Sequence, residues 1–262
     1  MNATELLWKF KASLLLLFLI LLSYVLLSKG AFFIPLESLL AVSFNAQMPL
    51  NIFFYEFIHT GVFHLSANLL SLLFFALILE AALSSLDVVL VFLFSGTLAA
   101  IVFSSLNPAT AMIGASAGIS GLFGAAFSLK PLKTLIATAA ALALLYFAVA
   151  PALSFAIGEF EANSTQKISA LELDLNRARE QGDLNKAAVI SKKLTESKKE
   201  IEKFGEGKEF EIKTSTDFFV HGYAAAFGFL YVFLFRRKKF SEAMKGIREK
   251  RIAVQGKIFG KK

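Results

Sequence analysis

Six long apolar runs dominate the chain, at 12–28, 63–82, 87–106, 113–129, 132–157 and 217–235. A helix needs about 20 apolar residues to cross the roughly 30 Å hydrocarbon layer of a bilayer. Every backbone N–H and C=O in lipid must also be satisfied within the structure, so isolated runs of this length fold as helices. The expectation is an all-α membrane protein with six transmembrane helices. Composition agrees: 56% of residues are hydrophobic and mean hydropathy is +0.64, against about 45–50% apolar residues in soluble domains. Between Leu14 and Gly158 the only charges are Lys29, Glu37, Glu56, Glu80, Asp87, Lys130 and Lys133.

Basic residues in short loops set orientation. Lys9 and Lys11 precede the first run, Lys130 and Lys133 separate the fourth from the fifth, and Arg236 to Lys239 follow the sixth. With six spans these places share one side, and the loops 29–62 and 107–112 on the other side hold only Lys29. The expected location is the cell membrane, multi-pass, with both termini cytoplasmic. The first run lacks a clean cleavage site after it and is read as a span, not a signal peptide. The +7 net charge comes almost wholly from the tail after Phe235; it marks topology and not a nucleic-acid footprint. With no cysteine in the chain, disulfides, thiolate catalysis and Cys-ligated zinc are excluded.

Polar residues then converge. In this topology the second, fourth and sixth spans enter from the outside. His64 opens the second span with Asn68 one turn deeper, Ser116 opens the fourth and His221 lies near the start of the sixth. All four fall within about two turns of the outer surface, at about 1.5 Å of rise per residue. Polar and ionisable groups at membrane depth point to a functional site. A serine hydroxyl needs a base to take its proton, and neutral histidine suits that near pH 7. Ser116 is the candidate nucleophile and His221 the candidate base, with Ser120 as a rival one turn below on the same face. Asp217, in Thr-Ser-Thr-Asp, reads as a helix N-cap. No His-Glu-x-x-His motif is present for a metalloprotease, and Asp87 and Asp217 belong to opposite membrane sides, which disfavours an aspartyl pair.

These residues resemble the rhomboid family of intramembrane serine proteases. His59, His64 and Asn68 fit the family's His-x4-His-x3-Asn, and GASAGISGLFGA is similar to its Gly-x-Ser-Gly and small-residue helix. His221 is followed by the small residues Ala224 and Gly228. The resemblance covers roughly 50–158 and 215–235, in the family's order. It implies a Ser116–His221 dyad without an acid, and His64 and Asn68 as oxyanion donors alongside backbone N–H groups near Ser116. It implies no cofactor or metal, and single-span membrane proteins as substrates. Gly118-Ile-Ser-Gly121 fits the motif literally around Ser120, but Gly121, Leu122, Gly124 and Ala125 align the wider pattern on Ser116. Four departures stand out. Ala117 replaces the usual glycine after the nucleophile. Ala224 replaces another, which predicts a wider spacing of the fourth and sixth helices. The first loop lacks the Trp-Arg pair, and about 55 residues separate the fifth and sixth spans. The alternative function is a catalytically inactive rhomboid-like factor that binds or dislocates membrane proteins; such relatives typically lose the serine or histidine that this chain keeps.

The expected division is 1–158 for the first five spans, 159–214 for an insert, 215–235 for the sixth span and 236–262 for a basic cytoplasmic tail. The insert carries 12 acidic and 11 basic side chains. Ile168, Leu171, Leu175 and Ala178 form one apolar stripe, Leu184, Ala187, Ile190, Leu194, Ile201 and Phe204 a second, and Gly182-Asp183 separates them as a stop and a cap. An antiparallel helical hairpin on the outer side is the expectation, one that caps or gates the site or recruits substrate. The tail, with 11 basic and two acidic residues after Phe235, reads as a topology anchor; Phe240, Met244, Ile247 and Val254 also fit an amphipathic helix on anionic lipid.

Overall fold

The computed structural model describes residues 8–28, 31–34, 39, 41–45, 47–213 and 218–259. Among these the chain is helical, with two isolated antiparallel bridges, Phe33 with Gly61 and Phe44 with Met112. The helices are α1 (Lys11–Ser28), α2 (Val62–Glu80), α3 (Ser85–Leu106), α4 (Ser116–Leu129), α5 (Pro131–Glu180), α6 (Leu184–Lys213), α7 (Phe218–Phe235) and α8 (Arg237–Phe259). Five of them, α1, α2, α3, α5 and α7, are long and apolar enough to cross a membrane. This is a multi-pass membrane protein.

The fourth apolar run departs from its expected bounds. The apolar run starts at 113, yet α4 begins at Ser116 and has only 14 residues. The preceding backbone is committed elsewhere: Met112 exchanges two hydrogen bonds with Phe44, at 2.8 and 3.0 Å, and the Gly114 N–H donates to the Tyr55 carbonyl at 2.9 Å. Gly114 itself takes φ +108°, a conformation that L side chains rarely adopt and that cannot continue a helix.

The fifth run departs in the other direction. It was expected to end at 157, but α5 continues for 50 residues to Glu180. Nothing between stops it until Gly182 turns the chain at φ +71°. Pro151 is absorbed by a π-helical turn at Leu145–Val149, where the Ala150 N–H reaches back to the Leu145 carbonyl. Proline lacks a donor and crowds the carbonyl four residues earlier, and a widened turn relieves both. Beyond the apolar part, α5 and α6 pack antiparallel through Leu175, Ala178 and Ala187, flanked by Ile190 and Leu194. Asp183 caps α6 by accepting the Lys186 N–H at 2.9 Å.

At its base the hairpin grips the first loop. Phe160 and Phe204 pack on Phe32 and Phe33 with ring centroids 5.2–6.1 Å apart, and Gly207 lets α6 approach Phe33 so closely that a Cβ there would lie 2.5 Å from the phenylalanine Cβ.

Helix α4 occupies the centre, against α2, α3, α5 and α7. The wider spacing expected from Ala224 is not found. A Cβ on Gly228 would lie 1.9 Å from the Gly121 carbonyl oxygen, and one on Gly124 would lie 2.0 Å from that of Ala225. Small residues one turn along the α4–α7 seam supply the close approach, so buried Ala224 does not prop it open. Two carboxylates lock helix ends. Glu80 accepts the Ala12 and Ser13 N–H groups, each at 3.0 Å, closing the start of α1. Asp87 forms a capping box with Ser84 and accepts Tyr231 Oη and Arg236 Nε, both at 2.8 Å. It thereby ties the start of α3 to the end of α7. The Asp217 cap, Lys29 and Glu37 lie outside the described residues.

Candidate active site

Three helices bring their N-terminal ends together: α2 with His64, α4 with Ser116 and α7 with His221. A cavity of about 300 Å³ is lined at once by Asn68, Ser116, Ser120 and His221, with walls from Phe75, Ile119, Phe123 and Ala141. Ser116 is the first residue of α4, so the backbone N–H groups of its first turn have no acceptor within the helix. Such a helix start favours developing negative charge.

Asn68 is 6% exposed, and its Nδ2 has no hydrogen-bond partner among the described residues. A buried amide donor without an acceptor is rare in folded proteins; here it belongs to a residue of the cavity wall. His64 is held from behind by a 3.2 Å contact between its Nδ1 and Thr60 Oγ1. Its other edge meets the loop before Ser116: a Cβ on Gly114 would lie 2.6 Å from His64 Cε1, 2.7 Å from Nε2 and 3.8 Å from Asn68 Nδ2. His221 lines the same cavity as Ser116 and Asn68, the latter one turn beyond His64 on α2. Asn68, Ser116 and His221 are therefore neighbours, although 153 positions separate Asn68 from His221.

Ser120 has a different environment from Ser116. Its hydroxyl donates to the Ser116 carbonyl at 2.8 Å, the back-bonding that small polar residues commonly make inside helices. Ser116 Oγ makes no hydrogen bond to any described residue. Ala117 faces away from the cavity, packed at 2% exposure among Tyr55, Phe103, Val220 and Ala224; that departure therefore alters helix packing and not the cavity wall.

Behind the site lies a buried set of which spacing revealed only His59. Tyr55 donates to the Gly96 carbonyl at 3.0 Å and to Glu56 Oε1 at 3.3 Å, while its own carbonyl holds Gly114. Burial pushes the Glu56 carboxyl well above the usual range, only partly offset by the Tyr55 hydrogen bond. His59 is fully buried with its ring 5.0 Å from that of His64, and burial, with His64 second, holds it well below the ordinary imidazole value. The available signal was Glu56 itself, the only Asp, Glu, Lys or Arg between Glu37 and Glu80.

Residues 46–171 match the rhomboid domain. The chain carries a rhomboid domain. RHOMBOID-like protein 1 from Arabidopsis thaliana is 38% identical over 71 residues, which is 27% of this chain and 18% of that relative. The alignment thus spans under a fifth of the relative's length. No solved structure matches the chain. The matched domain contains His59, His64, Asn68 and Ser116 but stops short of His221. Rhomboids are a family of intramembrane serine proteases, and α7 brings His221 to the cavity that Ser116 lines.

Proposed function

We propose that this rhomboid is an intramembrane serine endopeptidase that cleaves single-span membrane proteins with a Ser116–His221 dyad. The observation that carries the reading is the single cavity shared by Ser116, His221 and the unpartnered Asn68 amide. Ser116 Oγ attacks the scissile carbonyl carbon while its proton passes to a His221 ring nitrogen. The carbonyl oxygen takes the negative charge, beside Asn68 Nδ2, the His64 edge and the N–H groups opening α4. Collapse breaks the C–N bond, and His221 returns the proton to the leaving amine. Water then hydrolyses the acyl-enzyme, with His221 again acting as base.

Six spans suit this chemistry, α4 being a short sixth. Fourteen residues rise about 21 Å against a hydrocarbon core of about 30 Å. With Lys130 at one bilayer face, Ser116 is recessed by roughly 9 Å from the other. Basic loops favour cytoplasmic termini in the cell membrane, with the site toward the opposite face. Residues 159–214 then form an outer unit beside the site, where they gate it or recruit substrate. A physical route exists for such control: Phe204 and Gly207 bear on Phe32 and Phe33, and this strand of loop bonds to Thr60 and Val62 at 3.0 and 3.1 Å. Thr60 in turn touches His64.

The test is cleavage of a single-span substrate in liposomes by wild type, Ser116→Ala and His221→Ala, together with labelling by a serine-directed probe. Wild type cleaves, both variants lose activity by at least about 10³-fold, and the probe marks Ser116. If wild type neither cleaves nor labels, the chain is an inactive rhomboid-like binding or dislocation factor.

A further inference from the structure

We infer that α8 lies on the surface of a bilayer containing anionic phospholipid, at the end of α7 remote from the cavity. The inference does not depend on catalysis. Only Arg236 separates α7 from α8, and its guanidinium is fixed to Asp87 at 2.6 Å, so the place where the chain leaves the apolar bundle is pinned. The first turn of α8 then folds back. Phe240 meets Phe229 and Phe233 edge-on at 5.6 and 5.5 Å, and Phe240 and Ala243 pack against the bundle core.

The same apolar stripe runs on past the protein's edge. Met244 and Ile247 continue it and are 42% and 38% exposed. At about 100° per residue, Arg237 and Arg248 flank one side of the stripe, and Lys239 and Lys250 flank the other. Glu242 and Glu249 sit about 180–200° away from Phe240, on the opposite face. Apolar side chains toward the bilayer, basic stems at both edges and acids turned outward form the pattern of a helix lying in the headgroup layer. The intrahelical pairs Lys239–Glu242 and Lys245–Glu249 are long, at 3.8 and 4.0 Å, and exposed. Such pairs hold their charges weakly; Lys239, at the edge of the stripe, is available to lipid phosphate, whereas Lys245 lies about 140° from Phe240, beside the acids. The occupant is a membrane surface because the stripe begins where an apolar transmembrane helix ends.

The chain has no cysteine, so Met244→Cys or Glu249→Cys gives a unique spin-label site on the full-length protein. The labelled proteins are reconstituted in nanodiscs of phosphatidylcholine, with and without phosphatidylglycerol. With phosphatidylglycerol, the label at 244 gains contact with oxygen in the lipid and is shielded from a water-soluble nickel chelate, while the label at 249 stays exposed to the chelate. Each basic residue near such a surface favours binding by about fivefold. Replacing Arg237, Lys239, Arg248 and Lys250 by Gln therefore abolishes the shielding at 244, as does about 1 M salt, where the Debye length falls to about 3 Å. Equal chelate access at 244 and 249 in the anionic discs overturns the inference and leaves the surface to a soluble acidic partner. Shielding at 244 that ignores lipid charge, salt and the Gln substitutions also overturns it, in favour of packing on protein.

Discussion

Gly114→Ala is the sharpest test of the proposed oxyanion wall, because it leaves Ser116, His221, His64 and Asn68 chemically intact. The added methyl would sit 2.6 and 2.7 Å from His64 Cε1 and Nε2. Ordinary carbon contacts begin near 3.5 Å, so the imidazole must retreat by roughly 0.8–1 Å. The residue must also hold φ +108°, a strain of order 1–3 kcal/mol for a side chain with a Cβ. A displacement of about 1 Å at a reacting centre costs about a hundredfold, and loss of one oxyanion donor costs about 10²–10³ in kcat. Gly114→Ala is therefore expected to lower kcat on a single-span substrate by about a hundredfold, with KM little changed. If the methyl acts through His64, the double variant with His64→Ala is no slower than the slower single one. Thermal unfolding in the same detergent separates this from general destabilisation. A folded Gly114→Ala protein that keeps kcat within about threefold, or a double variant whose losses multiply, refutes the placement of His64 on the oxyanion.

Three further outcomes are open to measurement. Ser120→Ala deletes only a bond to the carbonyl one turn back, so cleavage stays within about a factor of two; abolition would make Ser120 the nucleophile. Burial raises the Glu56 carboxyl well above its ordinary value, so its folded form binds a proton more tightly than the unfolded chain. That contribution is complete below the ordinary carboxylate value and is lost as pH rises toward the raised one, at up to about 1.4 kcal/mol per pH unit. Glu56→Gln removes this loss, matching wild type in acid and exceeding it in melting temperature at alkaline pH; parallel profiles would mean Glu56 is not protonated in the fold. Phe204→Ala withdraws the ring that joins α6 to Phe32 and Phe33. Burying such a side chain stabilises by about 2 kcal/mol, so amide exchange over 160–208 should quicken by roughly thirtyfold, and unchanged exchange would show that the hairpin is held elsewhere.

Much of the candidate site was legible because membrane insertion makes a sequence speak in one dimension. Hydropathy orders the spans, charge orients them, and a polar residue's distance from a span end becomes its depth. That logic gives His64, Asn68, Ser116 and His221 one shared depth, and the rhomboid resemblance gives them their expected roles. What stayed hidden depends on side chains meeting across the bundle, where sequence separation carries no information. Asp87 and Arg236 lie 149 positions apart, and nothing in either segment announces the pair that fixes the end of α7. The limits of α4 and α5 failed for a related reason. Hydropathy marks where a segment tolerates lipid, whereas a helix begins where its backbone is released from other partners. Met112 and Gly114 are apolar enough to belong to α4, but Phe44 and Tyr55 claim their hydrogen bonds. Gly158 ended the apolar stretch, but a glycine without a left-handed turn only weakens a helix by about 1 kcal/mol, and α5 ran on. The correction bears on function: the early claim on Met112 and Gly114 puts Ser116 at the first position of a short helix, whose opening N–H groups have no acceptor within the helix. A helix begun at 113 would have tied up the Ala117 and Gly118 N–H groups in its own ladder and raised its start toward the headgroups.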